Sequence, residues 1–132
     1  MNPSKGRKTI FITGAASGMG RATAILFFEK GWFVGAFDVN AHGLETLKQE
    51  IGAENCITGV LDVTDRAAAA QALQQFSEAT AGQMDILFNN AGIGRGGPFE
   101  LMSFEDIMAV VNVNFVGVLI GIHLAIPMLK AT

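Results

Sequence analysis

The segment Thr13-Gly14-Ala15-Ala16-Ser17-Gly18-Met19-Gly20 restricts the folds open to this chain more than any other. Before it runs Lys8-Thr9-Ile10-Phe11-Ile12, an apolar, β-branched stretch of strand length. After it runs Arg21 to Lys30, of helical length and free of breakers. Strand, glycine turn and helix in that order is the setting in which glycines cradle a phosphate. Gly14 turns the chain off the strand tip, Gly18 leaves room for a diphosphate beside the backbone, and Gly20 lets the helix lie close to the strand. Ser17, Gly18, Met19 and Gly20 then offer unpaired N–H groups, and the positive end of the helix dipole, to the anion. A glycine triplet alone also serves ordinary turns. The two flanks make phosphate the stronger reading.

The rest of the chain repeats the alternation. Trp32 to Phe37 reads as a second strand finishing at Asp38, and Ala41 to Ile51 as a helix with Leu44, Leu47 and Ile51 on one face and Gly52 closing it. Asn55 to Leu61 reads as a third strand, followed by Asp62-Val63-Thr64-Asp65. The next helix carries Ala69, Ala72, Leu73 and Phe76 as one stripe. Met84 to Phe88 reads as a fourth strand, ending in Asn89-Asn90-Ala91-Gly92. A glycine-rich loop from Gly92 to Pro98 leads to Ser103, which with Asp106 resembles a capping box opening one long final helix. Strands alternating with helices over short connections predict a parallel sheet covered on both faces. Right-handed crossovers give the strand order 3-2-1-4 in an α/β doubly wound sheet, with a crevice between the first and fourth strand tips.

Composition narrows the partners. At 132 residues, half of them hydrophobic, the chain makes one domain with a sizeable core. A net charge of −3 argues against nucleic acid, whose phosphates call for a basic face. The single cysteine, Cys56, excludes an internal disulfide and fits a reducing cytoplasm. Met1 to Lys8 lacks the apolar core of a secretion signal. Ile107 to Leu129 runs 23 residues without a formal charge, enough to span a bilayer. It contains Asn112, Asn114, His123 and Pro127 and has no basic flank, so a helix buried between the sheet and a partner subunit is the expectation, with no membrane.

Asp38 falls 18 residues beyond Gly20, at a strand tip. A carboxylate there accepts hydrogen bonds from a ribose diol and repels a 2′-phosphate. No Lys or Arg follows it, and Ser17 fills the slot where a basic residue could meet that phosphate. Both features favour NAD over NADP. A solvated strand-end Asp is the plain reading of any single one, but three of four strand tips carry Asp or Asn: Asp38, Asp62 and Asn89-Asn90. Arg21 reads as an exposed helix residue before a diphosphate ligand. His123 reads as a packed helix residue, and Cys56 as a buried, inert one.

Together these pieces resemble the short-chain dehydrogenase/reductase family. The matching residues are Thr13-Gly14-x-x-x-Gly18-x-Gly20, Asp38, Asp62-Val63, Asn89-Asn90-Ala91-Gly92 and Asn114-Phe115-Val116-Gly117, in order from Lys8 to Lys130. The resemblance implies a Rossmann-like, NAD-binding domain over residues 1–132. It implies that Asp62 and the Val63 backbone receive the adenine, and that Asn90, Ala91 and Gly92 line the cofactor ribose and brace the central strands. Asn114 matches the family's catalytic asparagine, which kinks its helix and holds a water in the proton relay. Asn112 is its rival, but residues two apart do not share a helix face, and only Asn114 precedes an x-x-Gly. A purely structural Asn is the alternative.

One departure is large. The family's hydride chemistry uses a Ser on a fifth strand, then a Tyr and a Lys four residues on. This sequence has no Tyr and stops at Thr132. Loss of such a general acid/base costs about 10²–10⁴ in rate. The resemblance therefore implies the cofactor-binding half of an oxidoreductase, truncated before the fifth strand and inactive by itself. Its parent would move hydride between NAD(H) and a small alcohol or carbonyl, as a homo-oligomer. The alternatives are a non-catalytic NAD-binding module and an S-adenosylmethionine-dependent methyltransferase. The Asn-Asn-Ala-Gly tetrad weighs against the second.

Overall fold

The structure, a computed structural model, describes residues 2–132; Met1, the first residue of the polar Met1 to Lys8 stretch, lies outside them. Four parallel strands, β1 (Thr9–Thr13), β2 (Phe33–Asp38), β3 (Cys56–Val60) and β4 (Ile86–Phe88), form one sheet in the order β3-β2-β1-β4. The connecting helices are α1 (Gly18–Glu29), α2 (Ala41–Ile51) and α3 (Arg66–Thr80); α4 (Phe104–Val111) and α5 (Gly117–Ala131) follow β4. The sheet order and the alternation are those read from the sequence.

Side-chain alternation along β1 divides the core in two. Ile10 and Ile12 pack with Ala24, Leu44, Leu47 and Ile51 under α1 and α2. Phe11 points the other way, stacked on Phe37 at 4.5 Å and met edge-on by Phe76 of α3 at 5.3 Å. A methyl group on Gly35 would stand 2.5 Å from the Phe76 ring, so the missing side chain is what seats that ring against the sheet. Ala69, Ala72, Leu73 and Phe76 are all buried, as their spacing predicts.

Several boundaries depart from expectation. β1 extends to Thr13, and α1 starts at Gly18 rather than Arg21, because the glycine turn itself winds into the first helical turn. Asn55 is not in β3; it closes a 3-10 turn, donating to Ile51 O at 2.6 Å. Met84 and Asp85 lie before β4: Met84 is buried, and Asp85 accepts from Thr9 N at 2.8 Å. Ser103 Oγ caps α4 through Asp106 N at 3.1 Å, while the Asp106 carboxylate turns to Arg95 rather than back to Ser103.

The final helix is not continuous. A π-helical turn over Asn112–Val116 joins α4 to α5. The whole run is long and apolar enough to cross a membrane by length and composition. One side of α5 packs through Ile120, Leu124, Ala125 and Met128 on the α3 core. The other side leaves Leu119, Ile122 and Ile126 exposed, as is Phe115 of the π-helical turn, so the sheet-facing half of the expected burial is what this chain itself supplies. His123 lies on that open side, exposed, not packed as expected.

Candidate cofactor site

A cleft of about 380 Å³ opens at the carboxyl ends of the strands, where open α/β sheets bind ligands. Gly14, Ser17 and Met19 form one wall, and Asp38, Asp62 and Val63 another. Asn90, Ala91 and Gly92 close it from β4. Residues from four separate loops thus share one mouth. Val39, Leu61, Ile93 and Val113 supply apolar lining that no motif announced.

The glycines divide the labour by geometry. Gly14 stands at φ +66°, and a Cβ there would meet Ala91 Cα and Asn90 Nδ2, each at 2.9 Å. A Cβ on Gly20 would run into the Gly14 carbonyl and stand 2.6 Å from Asn90 Nδ2. Gly18, at φ +57°, would meet no atom of the described residues within 4 Å: its empty side faces open space. Two glycines therefore allow close packing, and the third keeps the approach to the helix start clear.

That helix start has free donors. Asn40, Asp65 and Ser103 cap α2, α3 and α4 by accepting from a backbone N–H three residues on. Ser17, at the corresponding position of α1, makes no such bond, and the first turn holds no acid. The amide groups there are left for an anion.

Asp38 ties the second wall to the first. Its Oδ2 accepts from Ala16 N at 3.0 Å and its Oδ1 from Asn40 N at 2.9 Å. Each oxygen keeps a lone pair for another donor. Asp62, which lines the cleft, accepts at Oδ1 from Thr64 N at 2.9 Å and from Thr64 Oγ1 at 2.7 Å, and among the described residues its Oδ2 takes no hydrogen bond.

Asn90 Nδ2 donates to Gly14 O at 3.2 Å, bracing β4 against the glycine turn. The same junction depends on Thr13, which opens the glycine motif but was given no role of its own. Its Oγ1 accepts from Asn90 N at 3.1 Å and Ala91 N at 3.0 Å. A hydroxyl at a strand end is a visible signal, but its partners lie 77 and 78 residues away.

Asn114 sits inside the π-helical turn, outside the cleft lining, with both amide atoms on the backbone of Ile93. Gly92 lies against it: a Cβ there would stand 3.3 Å from Asn114 Oδ1. Asn112 is exposed. Arg21 does not face the cleft, and it is not simply exposed. It is half-buried, donating to Gly43 O at 2.9 Å and pairing with Glu50 at 3.0 Å. Cys56 is buried at the start of β3, and that burial pushes its thiol pKa up to about 11.

Known proteins match along nearly the whole chain. The profile for short chain dehydrogenases matches residues 8–132. A 3-oxoacyl-[acyl-carrier-protein] reductase from Thermotoga maritima is 38% identical over 122 residues, covering 91% of this chain and 49% of the relative. A D-threitol dehydrogenase from Mycolicibacterium smegmatis is 38% identical over 112 residues, covering 83% and 43%. A short chain dehydrogenase/reductase from Burkholderia phymatum, solved in complex with NAD, superposes with a TM-score of 0.90 at 32% identity, covering 95% of this chain and 45% of that one. The chain thus spans about half the length of the curated relatives it matches. With the parallel 3-2-1-4 sheet, the glycine turn at its switch point and a match from Lys8 to the last residue, the chain belongs to the short chain dehydrogenase family.

Proposed function

We propose that residues 1–132 are the cofactor-binding half of an NAD-dependent oxidoreductase. The carrying observation is that Ser17, Asp38, Asp62 and Asn90, from four different loops, line one cleft at the switch point. The arrangement suits a dinucleotide. The uncapped start of α1 takes the diphosphate, with Gly18 keeping its approach clear. The two half-engaged oxygens of Asp38 take the adenosine ribose diol, and the charge there repels a 2′-phosphate, so NAD is preferred to NADP. Asp62 and the Val63 backbone take the adenine, and Asn90, Ala91 and Gly92 hold the ribose nearer the nicotinamide. When bound, the nicotinamide supplies or accepts the hydride. The Burkholderia relative solved with NAD supports this assignment.

The substrate is a small molecule bearing an alcohol or carbonyl, the shared chemistry of the reductase and dehydrogenase relatives. The 132 residues contain no Tyr to serve as the family's proton donor, so by themselves they bind cofactor without turnover. The exposed apolar side of α5 is covered by another copy of the protein, making it a homo-oligomer.

Titration with NADH and NADPH, in wild type and Asp38→Ala, tests the reading. NADH binds more tightly in wild type, and the substitution narrows the gap. Equal affinities in both proteins would remove the role of Asp38, and no binding of either nucleotide would remove the site.

A further inference from the structure

The geometry points to Arg21 as a positioning residue: it holds the diphosphate seat and the ribose seat at the separation one dinucleotide needs. This rests on the dinucleotide reading above. The two seats belong to different elements. Ser17 to Gly20 open α1, whereas Asp38 ends β2 just before α2. Their spacing therefore depends on how α1 and α2 dock. At the contact, Gly43 of α2 sits so close to the glycine turn that a Cβ on it would stand 2.8 Å from Ala16 Cβ and 3.1 Å from Ala16 O. Arg21 fastens that contact. Its Nη1 donates to Gly43 O at 2.9 Å and Thr46 Oγ1 at 3.1 Å, with Ala16 O at 3.5 Å, while Nη2 pairs with Glu50 at 3.0 Å. Among the described residues, every side-chain hydrogen bond between α1 and α2 comes from Arg21. Residue 16 thus lies between the two, its N–H donating to Asp38 at 3.0 Å and its carbonyl at the outer reach of Arg21 Nη1, 3.5 Å away. A planar guanidinium can fork in this way; an ammonium cannot.

A ligand that spans both seats gains from their fixed separation, whereas one that fills a single seat does not. The test compares binding of ADP-ribose with that of adenosine and of inorganic pyrophosphate, by NMR titration of the whole chain. Arg21→Ala should weaken ADP-ribose about tenfold and leave adenosine and pyrophosphate within about twofold. Arg21→Lys, which keeps the charge beside Glu50, should behave like Arg21→Ala, and it carries the comparison if the alanine variant does not fold. Parallel loss of pyrophosphate and ADP-ribose would show direct phosphate binding and overturn the positioning role. Unchanged ADP-ribose affinity in a folded variant would overturn it too. If wild type itself binds no ADP-ribose, the dinucleotide site fails, and this inference with it.

Discussion

Asn114 and Ile93 are joined by two hydrogen bonds running in opposite senses. Asn114 Oδ1 accepts from Ile93 N at 2.8 Å, and Asn114 Nδ2 donates to Ile93 O at 2.9 Å. The side chain thereby behaves like a strand partner for the segment after β4, and it does so from a π-helical turn. A π turn carries one extra residue per turn, which rotates the following helix relative to the preceding one. The amide oxygen keeps one lone pair and the amide nitrogen one N–H beyond these bonds.

Replacing Asn114 by Ala removes both bonds and leaves two backbone groups of Ile93 to water. The pair is exposed, so the expected loss is about 1–2 kcal/mol of unfolding free energy. Faster amide exchange in residues 92–97 should accompany it. Urea denaturation and hydrogen exchange check the two parts separately. Unchanged exchange at Ile93 would show that the pairing does not organise the loop.

Gly20→Ala and Gly18→Ala should fail in different ways. At Gly20 the new methyl group collides with the Gly14 carbonyl and with Asn90, so the fold loses roughly 1–3 kcal/mol. At Gly18 the methyl group has space, but φ of +57° costs an alanine about 1–2 kcal/mol. That methyl group also stands where the proposed diphosphate seat is approached. NADH affinity should therefore fall further in Gly18→Ala than its thermal stability suggests, and paired melting and NADH titrations separate the two effects.

Cys56 makes a pH prediction. Burial raises its thiol from 9.0 to about 11, with nearby Lys48 pulling the other way and Glu54 and Glu45 adding to the rise. The unfolded thiol ionises first as pH rises, so between about 9 and 11 the unfolded state binds fewer protons. This contribution is fully present below 9 and is lost progressively toward 11. The thiol should also resist a disulfide reagent at pH 8 until the chain unfolds. Rapid labelling of the folded protein at that pH would contradict the burial.

The open side of α5 should govern self-association. Leu119 and Ile126 are exposed apolar residues with Ile122 between them, a surface that favours a partner. Leu119→Lys with Ile126→Lys should lower the mass seen by sedimentation. Because neither side chain is in the core, stability should change by less than about 0.5 kcal/mol per site. An unchanged mass would assign the contact to another face.

The elements legible in the sequence are those with short-range signals. Strand length and β-branching marked β1, glycine spacing marked the turn into α1, and a one-sided apolar stripe marked α3. Alternation of strand and helix then sufficed for the order β3-β2-β1-β4, since handedness leaves few other routes. Asp38, Asp62 and Asn90 were legible as strand-tip residues because the tips of parallel strands share one edge of the sheet. The start of β3 moved by one residue where the Asn55 side chain made a local bond to Ile51 O.

What resisted reading was set by contacts between distant residues. Thr13 meets Asn90 and Ala91 only after β1 and β4 pair, and Arg21 meets Gly43, Thr46 and Glu50 only after α1 and α2 dock. The π-helical turn follows the same logic, its Asn114 engaged with a residue 21 positions earlier. Periodicity and turn chemistry act along the chain and so prescribe elements and their sequence. The cleft's exact width, its brace and its clamp arise from side chains meeting across 20 to 80 positions (roughly), a matter of packing density that no local pattern encodes.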